Sequence, residues 1–159
     1  ENVLILSSDG DFLQLQQYNT KLVAPHTIKQ YNPAQKKFVV SVDPLMDLKE
    51  KIIKGDKGDG IPNIYSASDC FVREVRQKPI TKGKLDSLLK ENWVEWQDDA
   101  AKTGFSRNQV LIDLRLIPGD IKEKIINTYE ETKPASRQKL FNYFIEKKLK
   151  NLMDVIEEF

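Results

Sequence analysis

Nine residues near the middle of the chain, Gly55-Asp56-Lys57-Gly58-Asp59-Gly60-Ile61-Pro62-Asn63, constrain the fold more than any other stretch. Three glycines and a proline in nine positions cannot continue a helix, because glycine costs backbone entropy and proline removes a donor. Yet the residues just before them read as a helix. Asp43 is a good cap and Pro44 suits a first turn. Leu45, Leu48 and Ile52, with Met46 and Ile53, form an apolar stripe at helical spacing. The pattern therefore predicts a helix that stops at Gly55, then a long turn. A second helix is expected over 66–76, and others over 82–96, 106–116, 119–131 and 134–157.

The chain ahead of Asp43 follows a different rule. Val3-Leu4-Ile5-Leu6 is continuously apolar, as in strands of parallel sheets covered on both faces. Ser7-Ser8-Asp9-Gly10-Asp11 reads as a polar turn, with Ser8 or Asp9 capping a short helix through Phe12, Leu13 and Leu15. Leu22-Val23-Ala24 reads as a second strand and residues 36–42 as a third. Strand, helix and strand in so short a span suggest a βαβ-like unit. The fold class expected is α/β: the C-terminal edge of a parallel sheet (1–42), followed by a mainly helical domain (43–159). An apolar strand opening two residues after Glu1 suggests a piece of a longer protein.

Composition narrows the chemistry. The 159 residues carry 25 Lys+Arg against 24 Asp+Glu, a net charge of +1, so overall charge gives no support for nucleic-acid binding. One cysteine, Cys70, excludes a disulfide framework and a Cys-rich zinc site, and fits a reducing compartment. One histidine, His26, argues against two-histidine catalysis. No apolar run approaches the roughly 20 residues of a membrane span, and no membrane partner is expected.

Two motifs could carry chemistry. Ser8-Asp9-Gly10-Asp11 ends a strand, where open α/β sheets place their ligands. Asp9 and Asp11 could both face one hard cation, and Mg²⁺ needs only one or two carboxylates because it keeps several waters. Spacing alone leaves open a cap with a solvated Asp. In the second motif, Gly55, Gly58 and Gly60 let backbone amides approach a phosphate, Lys57 adds charge, and Asp56 and Asp59 could hold water around a metal. A P-loop is excluded because Ile61-Pro62 follow Gly60, and an EF-hand because Gly58 and Gly60 stand where oxygen ligands are needed. A plain surface turn stays open. Lys49, Lys51, Lys54 and Lys57 cluster here, with Lys78, Lys82 and Lys84 further on, a pattern compatible with DNA-backbone contact or with a solvated face. The basic stretch 133–150 reads as a solvated amphipathic helix. Cys70 reads as a small core residue, Trp93 and Trp96 as packing, and His26 as a loop residue without a partner.

Together, in this order and about 45 residues apart, the two motifs resemble the 5′ nuclease (flap endonuclease) superfamily, and within it the RNase H-type 5′-to-3′ exonucleases of T-even bacteriophages. The shared pattern is Ser-Asp-x-Asp after an apolar strand, then a helix, Gly-Asp-x-x-Asp-x-Ile-Pro and another helix. The resemblance covers roughly residues 1–76 and implies the C-terminal half of such an enzyme. It implies that Asp9, Asp11, Asp56 and Asp59 are catalytic and metal-holding, with two Mg²⁺ ions, or Mn²⁺, in the complete enzyme. It implies a helix–three-turn–helix over 43–76 that grips duplex DNA, with Lys54, Gly55, Lys57, Gly58 and Gly60 at the backbone. The implied activity is removal of RNA primers and 5′ flaps in DNA replication, in the cytoplasm of a phage-infected cell. Implied partners are duplex and 5′-flap DNA, RNA–DNA hybrid and the phage single-stranded DNA-binding protein, with the enzyme a monomer. Other carboxylates of the family precede the strand motif, so this chain alone is expected to be inactive. Asn63–Ser68 also departs from the family's Gly-x-Gly-x-Lys-like segment, which leaves a monovalent cation without its usual site. The rival readings are a duplex-DNA-binding module or a replication-protein-docking module without activity of its own.

Overall fold

The computed structural model describes residues 2–19, 27–133 and 137–158. Two compact units divide it, Glu1–Ile117 and Pro118–Phe159. The architecture is mixed α/β and mostly helical, with one three-stranded sheet among the described residues.

In the first unit, β1 (Asn2–Leu6) lies parallel to β2 (Thr27–Asn32), in register from Asn2 opposite Thr27 to Leu6 opposite Tyr31. β3 (Lys37–Val39) closes an antiparallel hairpin on β2. A 3₁₀ helix, Gly10–Asn19, connects β1 towards β2, so the expected parallel crossover is present. The expected strand at Leu22–Ala24, and His26, lie outside the described residues. The strand that pairs with β1 is β2, which the sequence reading did not assign. Its polar residues hide it: Gln30 and Asn32 are buried, and their amides hold the turn after β1. β3 ends at Val39, so the run to Val42 is not strand, and Val40 and Val42 are exposed.

The expectation that β1 is buried on both faces is overturned. Val3, Leu4 and Leu6 are 44%, 63% and 70% exposed, and among the described residues β1 is an edge strand with β2 as its one neighbour. An open apolar edge favours pairing with further chain.

The core of this unit is helical. α1 (Pro44–Lys54) is capped by Asp43, whose side chain accepts from Met46 N, with Pro44 in the first turn. α2 (Lys82–Lys90) is capped by Thr81 and α3 (Asp99–Ile112) by Asp98. Leu48, Ile52 and Ile53 of α1 meet Leu88 of α2, Ala101, Phe105 and Ile112 of α3, and Ile64 and Trp96 from the connections. Full burial of one such side chain, Ile53 for example, contributes about 1.5–3 kcal/mol. Trp93 stacks on Phe105 with centroids 5.0 Å apart, and Trp96 meets the same ring edge-on at 5.3 Å, so both tryptophans pack as expected. Cys70 is buried, also as expected.

The helix expected over 66–76 does not form. Its hydrogen bonds are isolated turns, among them Cys70 N to Ala67 O and Arg73 N to Asp69 O, and Glu74 takes a left-handed φ of 54°. Ser66 is drawn out of any helix by its own bonds: its hydroxyl donates to Asn63 Oδ1 and accepts from Lys78 N. The helix–three-turn–helix therefore has its first helix and its turn, but turns in place of the second helix. The helix expected over 82–96 ends at Lys90, with a 3₁₀ turn at Trp93–Glu95, and the one expected over 106–116 starts earlier, at Asp99, and ends at Ile112 ahead of a 3₁₀ turn at Leu114–Leu116.

Asp113 joins α3 to the second of these. Its buried carboxylate accepts from Arg115 Nε at 2.9 Å and Nη2 at 2.7 Å, and from Arg115 N at 3.0 Å. The Arg115 guanidinium holds the Asp113 carboxyl below the usual carboxylate range against the opposing effect of burial. A depressed folded value means the stabilisation is complete above the unfolded pKa and is lost as pH falls through the folded one. Asp113→Asn is expected to lower the melting temperature at pH 7, with the gap to wild type closing in acid, as pH falls past the ordinary carboxylate range and the native carboxylate protonates. Melting curves across pH 2–7 check this. A gap that stays constant into acid would mean that the carboxylate's charge adds nothing.

In the second unit, α4 (Gly119–Glu131) forms as expected. The single helix expected over 134–157 is instead α5 (Arg137–Glu146), α6 (Lys150–Met153) and a 3₁₀ turn, Ile156–Glu158. The break is at Lys148, in the left-handed region with φ 53°, where Leu149 N returns to Phe144 O at 2.8 Å to close the helix end.

Candidate metal centre

Asp11 follows β1 by way of a turn that polar bonds fix. Gln30 Nε2 donates to Ser7 O at 3.0 Å and Asp9 O at 2.6 Å, Asp9 N to Ser7 Oγ at 3.1 Å, and Asp11 N to Asp9 Oδ1 at 2.9 Å. Asp9 is thus the cap that orients Asp11, and its exposed side chain belongs to the surface of the turn. Gln14, one turn on, donates to Ile112 O and accepts from Leu114 N, which anchors the 3₁₀ helix to the end of α3.

The second motif is held as firmly. Gly55 ends α1 with φ 71°, and a Cβ there would lie 2.3 Å from Ile61 O, so only glycine fits. Asp56 and Ile61 exchange both backbone bonds, at 2.8 and 2.7 Å. Asp56 Oδ1 accepts from Gly58 N at 2.9 Å and Asp59 N at 3.4 Å, closing the turn internally. From behind, the buried Asn108 of α3 donates to Ile52 O and Pro62 O. Arg107 reaches Pro62 O, Asn63 O and Ser66 O with its guanidinium. The charge that meets the carbonyls after Ile61-Pro62 is therefore a guanidinium of this chain. These two α3 residues were not marked by the sequence, since nothing in their spacing ties them to a turn some 45 residues away.

The two motifs converge. Oxygens of Asp11, Asp56 and Asp59 lie within 4.8 Å of one another. Asp9 is not in that group. Lys51, in the last turn of α1, pairs with Asp11 Oδ1 and, at 2.9 Å, with Asp56 Oδ2. Its hydrogen bond lowers the Asp56 pKa, with burial opposing and the lysine charge and turn amides reinforcing it, so Asp56 is ionised at neutral pH. Lys51 was read only as one of a basic cluster. Its place at the border of the apolar stripe, beside Ile52, is the signal that sets it apart from the exposed lysines.

The donor set is three carboxylates and no nitrogen or sulfur, which suits a hard divalent ion such as Mg²⁺ or Mn²⁺. The Lys51 ammonium already lies against two of the three. The residues present fit such an ion.

The other expected contacts are distributed differently. Lys57, Gly58 and Gly60 are exposed at the turn tip. The amides of Gly55, Gly58 and Gly60 bond within the chain, to Lys51 O, Asp56 Oδ1 and Lys57 O. Lys54 pairs with Glu50. Lys49 is held inward, donating to Leu89 O and Glu91 O, and burial pushes its pKa down. Lys57 borders an open cleft of about 440 Å³ whose wall includes Phe71, Arg76 and Gln77.

The chain is 32% identical to the ribonuclease H of Enterobacteria phage T4, an alignment that takes in 99% of this chain and 52% of that protein. The chain thus spans about half the length of the curated relative it matches. Residues 42–159 match the family described as "T4 RNase H, C terminal", and the chain belongs to that family.

Proposed function

We propose that this chain is the C-terminal portion of a divalent-metal-dependent 5′-to-3′ nuclease that hydrolyses phosphodiester bonds in RNA primers and 5′ flaps. The observation that carries the reading is the convergence of Asp11 with Asp56 and Asp59 from two motifs 45 residues apart. Asp11, Asp56 and Asp59 would hold the metal, with Asp9 orienting Asp11 and contributing its charge. The metal, when bound, supplies an activated water and neutralises charge on the leaving oxygen. The remaining carboxylates would come from the half of the relative's length that this chain does not span. Lys57 and the exposed faces of Gly58 and Gly60 would meet duplex backbone, with Arg76 across the cleft and Lys54 at the end of α1 adding positive charge.

A docking role is the second reading. α4 exposes Ile121, Ile125, Ile126 and Tyr129, largely on one helical face, as a partner-binding helix would. The phage single-stranded DNA-binding protein is the partner that reading names.

The test is cleavage of a 5′-labelled RNA–DNA hybrid and a 5′-flap duplex by the full-length protein, with Mg²⁺ and with a chelator. Short products from the 5′ end, lost with chelator, are expected. Intact substrate with a correctly folded enzyme would leave only the binding or docking reading.

A further inference from the structure

Among the described residues, one cation of the chain's own, Lys51, lies within the carboxylate cluster. The Lys51 ammonium contacts Asp11 Oδ1 and lies 2.9 Å from Asp56 Oδ2, so it joins the turn after β1 to the turn after α1. Asp56 Oδ1 is occupied by the amides of Gly58 and Asp59, and Oδ2 is the oxygen that meets a cation. Lys51 is fixed in place by its backbone, since its carbonyl accepts from Gly55 N at 2.8 Å. The neighbouring lysines of α1 are engaged elsewhere, Lys49 with two carbonyls and Lys54 with Glu50.

We propose that Lys51 is a positioning residue that acts as the built-in cation of this cluster. It holds Asp11 and Asp56 at ion-binding spacing before a divalent ion arrives, and its ammonium withdraws when one binds. The inference rests on the reading of these carboxylates as a divalent-metal site. Three carboxylate oxygens within 4.8 Å repel one another, and a single positive charge removes most of that cost. Lysine suits the role because its ammonium is a point charge on a flexible stem, able to leave without unmaking a fork of bonds. A divalent ion carries twice the charge and binds oxygens at about 2.1 Å, so it wins the site, but only after displacing the ammonium. Lys51 therefore weakens metal binding while ordering the site that receives the metal.

This predicts a sign that a merely structural ion pair does not. Mn²⁺ alone is titrated into the full-length protein as wild type, Lys51→Met and Lys51→Arg, with free Mn²⁺ followed by electron paramagnetic resonance. Lys51→Met is expected to bind Mn²⁺ about fivefold tighter than wild type, and Lys51→Arg no tighter than wild type. Without Mn²⁺, Lys51→Met is expected to melt lower than wild type, and saturating Mn²⁺ to restore it. A structural role gives the opposite sign, because a loosened cluster binds more weakly. Equal or weaker binding by Lys51→Met overturns the inference and leaves the metal site standing. No Mn²⁺ binding by any folded variant overturns the metal reading and the inference with it. If Lys51→Met does not fold, Lys51→Gln provides the same comparison.

Discussion

Asp11→Asn is expected to abolish cleavage by the full-length protein, by about 10³-fold or more, while shifting its melting temperature by no more than a few degrees. The two effects separate because Asp11's backbone and side chain do different things. Its amide is satisfied by Asp9 Oδ1, a bond that asparagine keeps. Its carboxylate belongs to the cluster and meets Lys51. Both partners of that pair are about one-quarter exposed, so its loss costs at most about 1 kcal/mol after solvent screening. For the metal the change is larger, because a neutral amide cannot replace a charged oxygen ligand of a hard ion. Asp56→Asn is expected to behave alike, since an asparagine oxygen still accepts from Gly58 and Asp59. Asp9→Asn should lose less, because Asp9 lies outside the cluster and its oxygen serves as a cap. Rates on a labelled hybrid at saturating Mg²⁺, beside melting curves, give both readouts. An Asp11→Asn enzyme with wild-type rate would remove Asp11 from the catalytic set.

The parts of the fold written in local chemistry were legible from the sequence. Asp43, Pro44 and the stripe from Leu45 to Ile53 set α1, and Gly55 ended it where a left-handed φ was needed. Asp11, Asp56 and Asp59, which the structure brings together, could be picked out as candidates because Asp-x-Asp at a strand end and Gly-Asp-x-x-Asp are local patterns, whereas Asp9, read with them, lies outside the group. What was hidden depends on contacts across the chain. β2 is a strand because its glutamine and asparagine reach carbonyls of the turn after β1, and no period-2 apolar pattern announces that. Residues 66–76 have helical composition, but Ser66 and Asn63 bond to Lys78 and its neighbours instead. β1 reads as a core strand, and its exposed edge is visible only when its neighbours are known. Lys51 could be counted as a charge from the sequence, but its two acidic partners come from separate motifs.

The same cross-chain dependence makes one methyl group decisive. Gly104→Ala is expected to destabilise the first unit by about 4 kcal/mol, a fall of roughly 10 °C or more, or to prevent it from folding. Gly104 lies in the middle of α3, where alanine normally adds about 1 kcal/mol through helix propensity. Here a Cβ would sit 2.0 Å from Ile64 O and 2.7 Å from Ile64 C and Cα. All three are backbone atoms of a segment that Arg107 and Asn108 bind from the same helix, so neither side can yield alone. Moving α3 away stretches the bonds to Pro62, Asn63 and Ser66 and leaves the buried Asn108 amide and its carbonyl partners unsatisfied, at about 1–3 kcal/mol for each group. The turn that carries Asp56 and Asp59 loses its backing in the same step. Metal binding should therefore weaken in any Gly104→Ala protein that still folds. Gly83→Ala is the control: it is also helical, but a Cβ there meets nothing within 4 Å, so a gain of up to about 1 kcal/mol is expected. Equal gains at both positions would show that α3 and the Ile64 segment are not in contact, and the support assigned to Arg107 and Asn108 would fall with that contact.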